Sequence, residues 1–440
     1  MSIAIKKAFL SKLDNTNMII ICIIPFALIS PFLSDLFVVL SSILFLVSFF
    51  LRKDYSYLNN FFFKFLLFIY FYLLVLSLIS DHIYNSLTAT LFYFRYILFV
   101  FSVFYILQIS KKFLYYLAIV LTITIFIFSI DGIIQYYFEY NMLGWKNQFP
   151  MNELGGPGAP RRISGLFGDE LILGSFISRF LPLSLGLIFY FNFDNNRFKN
   201  IYLIIIYLSI GSLAIILTGE RVAFFNLIVL FLFFSIFIYL INKKIFFSFI
   251  FLIVLFFIFI MSNNKVSHRL INETLFGMGF SVQVEDKEQF SNIDNNFVIF
   301  TPHHTSHYIS AYKMYYQNPF FGVGPKNFRI KCKEPEYFVE HACSTHPHNT
   351  YLQLLSETGT FFAFLIFVLF FLCPIYLLIK SFIKLTSFRS NILIFKYFLT
   401  ISIIINYMPL IPSGNFFNNW ISIVYFFPIG FLFYILKKEN

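Results

Sequence analysis

The sequence predicts an all-α polytopic membrane protein, and three observations predict it. The chain of 440 residues is 59% hydrophobic and only 12% charged, with a mean hydropathy of +0.79. Its apolar residues fall in repeated runs long enough to cross a ~30 Å hydrocarbon core, which needs about 20 residues of helix. Its basic residues gather in alternate short loops between those runs. The abundance of Phe (68) and Tyr (28) reads as codon bias towards A/T and carries no functional argument.

The runs predict about twelve spans, at 17–31, 33–51, 61–80, 88–109, 113–136, 170–192, 200–217, 221–242, 244–262, 357–381, 391–411 and 418–436. Pro25 and Pro31 leave open a broken or re-entrant hairpin in the first pair. The N-terminal stretch "MSIAIKKAFLSKLDNTNM" is basic and no small-residue cleavage site follows, so it reads as a retained tail. One set of loops holds Lys6, Lys7, Lys12, Arg52, Lys53, Lys111, Lys112, Arg197, Lys199, Lys243, Lys244, Lys380, Lys384, Arg389, Lys437 and Lys438. The opposite short loops at 80–87 and 412–419 hold no Lys or Arg, and the turn "TGER" holds Arg221 alone. Basic loops stay on the cytoplasmic side, so both termini are expected there. The net charge of +11 is in part this anchoring and gives no reason to invoke nucleic acid.

The chain divides into N-terminal helices (1–136), an outer loop (137–169), a second helical set (170–262), a large outer loop (263–356) and C-terminal helices (357–440). Cys22 and Cys373 fall inside spans, where a thiol behaves as a small hydrophobe. Cys332 and Cys343 share the large outer loop; an oxidising compartment would allow them to pair, and spacing alone leaves the pairing open.

Ionisable groups within a span are costly and are functional suspects. Here they are Arg95, Asp131 and Arg179. Asp131 and Gln135 are four apart and share one helix face. Arg179 lies deeper, where an internal ion pair with a carboxylate such as Asp131 is the plain structural account. Further clusters sit on the outer side: "RRISGLFGDELILGSF" (161–176) with Arg161, Arg162, Asp169 and Glu170; "LTGERVAFF" with Arg221; and "STHPHNTYLQLLSETG" (344–359). In the last, Pro347 favours an extended lead-in. Asn349, Gln353, Ser356, Glu357 and Thr360 then fall at helical spacing on one face, with His348 at the top. His346 precedes Pro347 and is expected to point away from the helix axis.

No Walker-type loop, HExxH or Asp-x-Asp pair is present, so neither a nucleotide donor nor a metal or other cofactor is expected. Arginines at a membrane edge suit a lipid diphosphate, because guanidinium forks match phosphate oxygens. A histidine of near-neutral pKa suits removing a proton from an acceptor hydroxyl. Together these describe glycan transfer from a polyprenyl-diphosphate carrier. A transporter of the same lipid-linked glycan would also use intramembrane arginines. It predicts a midplane site and inverted repeats, and no repeat is visible.

"HNTYLQLLSETG" resembles the His-Asn-(nine residues)-Gly signature of the O-antigen ligase and O-antigen polymerase family, with His348, Asn349 and Gly359 in register. "NPFFGVGPKNFR" (318–329), "RRISGLFGDELILGSF", "LTGERVAF" and "DGIIQYYFEYNMLG" (131–144) resemble further family segments in the same order. The resemblance covers roughly residues 131–365. One departure is that Gly359 is followed by Thr360, Phe361 and Phe362, where the ligase signature often continues Gly-x-x-Gly/Thr/Tyr. The resemblance implies a metal-independent, GT-C-like inner-membrane glycosyltransferase with a large periplasmic loop between its ninth and tenth spans. Its donor would be an undecaprenyl-diphosphate-linked glycan and its acceptor lipid A-core or a second lipid-linked glycan. His348 and Arg221 would be catalytic, and Arg162, Arg221 and Arg95 would hold the diphosphate. Asn349, Gln353, Glu357, Gly359, Asp131 and Arg179 would support them.

The charge pattern predicts a topology. Reporter fusions after Lys112, Lys244 and Lys384 should read cytoplasmic, and a fusion near Lys287 should read periplasmic. A cytoplasmic reading at Lys287 would put the histidine motif on the wrong face for this chemistry.

Overall fold

The computed structural model describes residues 3–53, 55–146, 162–194, 197–198, 200–277, 301–409 and 411–439. Arg161, Lys199 and Lys287 lie outside them. Its first helices are α1 (Ile3–Ala27), α2 (Pro31–Arg52), α3 (Phe61–Leu78), α4 (Ile83–Thr90), α5 (Phe94–Ile109) and α6 (Phe113–Phe138). Then come α7 (Leu173–Asn192), α8 (Ile201–Leu217), α9 (Arg221–Ile241) and α10 (Lys243–Ser262). The short α11 (Asn264–Ser267) and α12 (Glu273–Gly277) precede α13 (Pro302–Gln317) and α14 (Phe328–Lys331). The chain closes with α15 (Thr350–Phe367), α16 (Cys373–Ser387), α17 (Asn391–Asn406) and α18 (Asn419–Glu439). The strand pairing among the described residues is a two-residue antiparallel contact of Phe193–Asp194 with Arg197–Phe198.

Ten helical segments among the described residues are long and apolar enough to cross a membrane. Ile201–Leu217 and Asn391–Asn406 are apolar but shorter. The first pair resolves as two separate helices: Pro25 sits inside α1, and Pro31 starts α2 at a position that needs no N–H, after the Ser30 cap. The helix of the first span starts at Ile3, well before the expected residue 17. The expected span 88–109 is broken at 91–93, between α4 and α5. Arg95 therefore lies in the first turn of α5, just past this break, within the candidate span Ile83–Ile109.

Helices α7 and α17 form the centre of the bundle, and nearly every residue of each is buried. Gly186 lets them touch: a Cβ there would come 2.8 Å from Phe398 Cβ. Small residues allow such close backbone approach where lipid supplies no hydrophobic drive between helices. By contrast, α10 buries only Phe249 and Ile260.

At one end of the bundle the loops interlock. Asn85 donates to Lys326 O and Asn327 Oδ1, and Ser86 to Pro325 O. Lys331 pairs with Asp81 at 2.6 Å. Cys332 and Cys343 are bonded, with their Cα atoms 5.4 Å apart. The tightest joint is a strap, residues 318–324, laid across α15. Val323 N donates to Ser356 O, Gly324 N to Glu357 O and Thr360 N to Pro319 O. Gly359 breaks α15 at φ 77°, ψ 176°. A Cβ on Gly359 would sit 2.0 Å from Phe320 O, and one on Gly322 would sit 2.4 Å from Glu357 C. Both glycines are thus set by backbone-to-backbone contact, and the helix that sequence spacing ran through Thr360 is two pieces.

Gly359→Ala should cost on the order of 3 kcal/mol, from positive φ and from overpacking combined. Gly144 has φ +78°, and a Cβ added there would meet nothing within 4 Å. Gly144→Ala is the matched control, since it meets strain without collision. Thermal unfolding in detergent should show a clearly larger drop for Gly359→Ala than for Gly144→Ala; equal drops would remove the strap contact as the cause.

Candidate active site

The turn Thr218–Arg221 is built by its side chains. Thr218 Oγ1 donates to Ile215 O at the end of α8 and accepts from Glu220 N. Gly219, at φ 65°, reverses the chain. Glu220 then caps α7: its Oε1 accepts from Gly174 N at 2.7 Å, and its Oε2 from Ser175 N and Oγ. A carboxylate at a helix N-terminus satisfies orphan N–H groups and faces the positive end of the dipole. Burial nevertheless pushes its pKa up, with the Arg162 charge opposing.

Three arginines meet over this turn. A Cβ on Gly219 would lie 3.1 Å from Arg269 Cγ and 3.8 Å from Arg162 Cγ, so both stems flank the glycine. Arg269 donates through Nε to Gly219 O and pairs with Glu273. Arg221 donates to Glu273 O at 3.4 Å. Burial and the neighbouring Arg269 charge both act against protonation of Arg162, while Glu220 and Glu273 favour it. Three cations face two carboxylates, so the cluster keeps a positive excess suited to an anion. Sequence reading found Arg162 and Arg221 but missed Arg269; its segment, "NNKVSHRL", carried only an Arg in a polar loop as signal.

Beside the arginines lies a cluster of imidazoles, two of which were also missed. The His348 ring centroid is 4.2 Å from that of His346, 5.1 Å from His307 and 5.6 Å from His304. His304 and His307 come from α13, three residues apart on one face, and the pattern "HHTSH" was the available signal. Three of the four are engaged. His307 Nδ1 lies 2.7 Å from Ala342 O; a carbonyl only accepts, so the proton sits on Nδ1 and the lone pair on Nε2. His346 contacts Ser413 O through Nε2 and Thr345 Oγ1 through Nδ1, so both nitrogens are used. His304 Nδ1 lies 2.6 Å from Thr301 Oγ1.

His348 differs. Its ring makes no hydrogen bond among the described residues and is half-buried. Its backbone holds φ 54°, an uncommon conformation for a residue with a Cβ. Ser413 N donates to its carbonyl, and Asn349 caps the next helix through Tyr351 N and Leu352 N while donating to Pro409 O and Ile411 O. Burial, then the adjacent His307, lowers the His348 pKa to about 4. Burial and His348 lower His346 to about 3 and His304 to about 4. The near-neutral value expected from sequence is thus replaced by a cluster that stays uncharged at neutral pH. Arg221 is among the charges acting on His304, which ties the arginine and histidine groups together. Among the described residues, no three His, Cys, Asp or Glu side chains are placed to hold a metal ion.

The remaining expected residues brace the site from outside it. Gln353 and Glu357 are fully buried: Gln353 bridges Glu357, Asn415 Oδ1 and Phe416 N, and Glu357 accepts from Phe328 N. They fix the loops around α15 and do not line an open polar face. Asp131 accepts from Met142 N, and Gln135 from Ser164 N and Gly165 N, so this pair shapes the loop carrying Arg162. Arg179 does not pair with Asp131. It donates to Asn406 O at the C-terminal end of α17 and lies over the Tyr425 ring, a cation placed at the negative end of a helix dipole. Arg95 is likewise away from the cluster: it donates to Asp35, Phe92 O, Tyr96 and Asn419, tying α2, α5 and α18 together.

No curated protein matches the chain. A family model described as O-antigen ligase matches residues 206–368, a stretch that includes the Thr218–Arg221 turn, the strap and the His348–Gly359 helix. Over these residues, which are less than half of the chain, the protein is similar to the O-antigen ligase family.

Proposed function

We propose that the chain is a bacterial inner-membrane glycosyltransferase of O-antigen ligase type, with twelve spans, both termini cytoplasmic and the site on the periplasmic face. It moves a glycan from an undecaprenyl-diphosphate carrier to a hydroxyl of lipid A-core. The observation that carries this reading is one imidazole, His348, that makes no hydrogen bond among the described residues, beside three engaged ones and next to a cationic cluster. His348 takes the proton of the attacking hydroxyl. The new bond forms from that oxygen to the anomeric carbon, and the bond from that carbon to the diphosphate oxygen breaks. Arg162, Arg221 and Arg269 hold the diphosphate and stabilise the charge that builds on it as it leaves. Arg95, with its donors engaged elsewhere, is left out of the donor site. A second lipid-linked glycan as acceptor would make the same machinery a polymerase; the donor half of the site is common to both. A transporter of such a glycan would not need a poised base. The glycan profile of a deletion strain separates the first two: accumulated lipid-linked polymer means ligase, and a single repeat unit on the core means polymerase.

His348→Ala should lower transfer by roughly 10²–10⁴-fold, the usual worth of general-base catalysis, with the protein folded and donor still bound. His346→Ala should chiefly lower thermal stability, since it unties Ser413. A wild-type rate in His348→Ala with purified lipid-linked donor would end the assignment. Arg221→Lys keeps the charge but loses the bidentate fork, and should be clearly impaired; full activity in Arg221→Ala would remove it from the site.

The acidic limb of kcat/KM should follow the lowered pKa. His348 is a base only when neutral. With its pKa at about 4, the rate should hold as pH falls through 6 and drop only as it approaches 4. A limb centred near 6.5, the ordinary histidine value, would contradict a buried base.

A further inference from the structure

The strap that crosses α15 carries exposed aromatic side chains on its outer side. Phe320 is 74% exposed and Phe321 57%, and Tyr316 and Tyr312 continue the stripe along α13 at 74% and 56%. Residues 314–325, "MYYQNPFFGVGP", hold no Asp, Glu, Lys, Arg or His, and Lys313 and Lys326 bracket them. Lys313 turns back to Phe338 O.

The depth of this turn follows from its neighbours. Phe361, two residues past the Gly359 contact, packs on Tyr72 at 5.3 Å and on Phe68 at 6.4 Å. Tyr72 lies six residues before the end of α3 at Leu78, about 9 Å at 1.5 Å per residue. Helix α3 has 18 residues, about 27 Å, close to the ~30 Å hydrocarbon thickness. The Phe320–Phe321 tip therefore lies several ångströms inside the level where α3 ends. Its surface runs on into Phe361 and Phe364, which are 49% and 62% exposed on α15 in the same bundle wall.

Non-helical backbone is tolerated at that depth only where its polar groups are satisfied. Here Gly322 N donates to Asn318 O, Val323 N to Ser356 O, Gly324 N to Glu357 O and Thr360 N to Pro319 O, and the Phe320–Phe321 backbone is covered by α15, since a Cβ on Gly359 would come 2.0 Å from Phe320 O and 2.7 Å from Phe321 N. The order of side chains also fits a bilayer edge, with purely apolar Phe at the tip and amphipathic Tyr above it.

We propose that the 318–322 turn is a re-entrant aromatic anchor that inserts Phe320 and Phe321 among phospholipid acyl chains of the leaflet on the active-site side. It fixes the height of α13, and so of His304 and His307, above the membrane. This inference uses no part of the transfer chemistry.

The test is tryptophan quenching by depth. Phe320→Trp protein is reconstituted into phosphatidylcholine vesicles with plain or dibrominated acyl chains. The emission of Trp145 and Trp420 in the unsubstituted protein is subtracted. Most of the added emission should be lost in brominated vesicles and should resist aqueous iodide. Quenching by iodide without quenching by bromine would show a tip in water and overturn the anchor. Resistance to both quenchers, with cross-linking between copies through this turn, would show a protein-covered face and overturn it equally. Phe321→Trp gives the same reading if the first variant fails to accumulate.

Discussion

The contact between the 318–324 strap and the broken helix α15 is the constraint on which the histidine-bearing end of this protein depends. Two glycines, Gly322 and Gly359, let one backbone rest directly on another. Because the strap follows α13 directly, this contact sets where α13 stands beside α15. That pairing brings His307 within 5.1 Å of His348, ring to ring. At the lower end of the same pair, Tyr315 Oη and Thr360 Oγ1 are 3.1 Å apart. The two helices thus run side by side from the histidines down to the membrane edge. A site assembled from chain segments more than thirty residues apart needs such a rigid joint, because an error of about 1 Å in catalytic placement is costly.

Charge is managed differently at the two levels of the bundle. Within it, cations are tied to fixed partners: Arg95 to Asp35, and Arg179 to the carbonyl end of α17. These solve the desolvation problem locally and leave little for a ligand. At the outer turn, Arg162, Arg221 and Arg269 outnumber Glu220 and Glu273, and Glu220 is already engaged in capping α7. That leaves a local excess of positive charge suited to an anion. The histidines beside it remain neutral because burial opposes a second layer of positive charge. A neutral acceptor of protons next to a fixed cationic cluster is a coherent pairing for activating a hydroxyl against a departing anion.

The residues that surround the site owe their identities to backbone geometry more than to chemistry. Gln353 and Glu357 satisfy the N–H groups of Phe416 and Phe328, and Asn349 caps α15 while donating to the loop carbonyls of Pro409 and Ile411. Their placement explains how a signature of polar residues can persist on a helix that is buried on that side. It also separates the His348 imidazole, which makes no hydrogen bond among the described residues, from its neighbours, which do.

Several features were legible in the sequence because they are local. Hydrophobic runs set most of the helices, and Pro347 followed by an Asn cap set the start of α15. Of the unusual polar groups, Arg162 and Arg221 meet in space beside the histidines, while Arg95 and Arg179 are tied to other partners. What sequence periodicity could not decide was tertiary. The ladder Asn349–Gln353–Glu357–Thr360 read as one continuous face, but Gly359 interrupts it, because only the strap's approach demands a positive φ there. Arg179 read as a partner for Asp131, yet the two turn to different backbones once α17 ends beside α7. Arg269, His304 and His307 carried only weak local signals, an arginine in a polar loop and the pattern "HHTSH". They join the site only because Gly219 and the strap fold distant segments onto it. A histidine's pKa follows the same division: its residue type is written in the chain, but the burial that lowers it to about 4 exists only after packing.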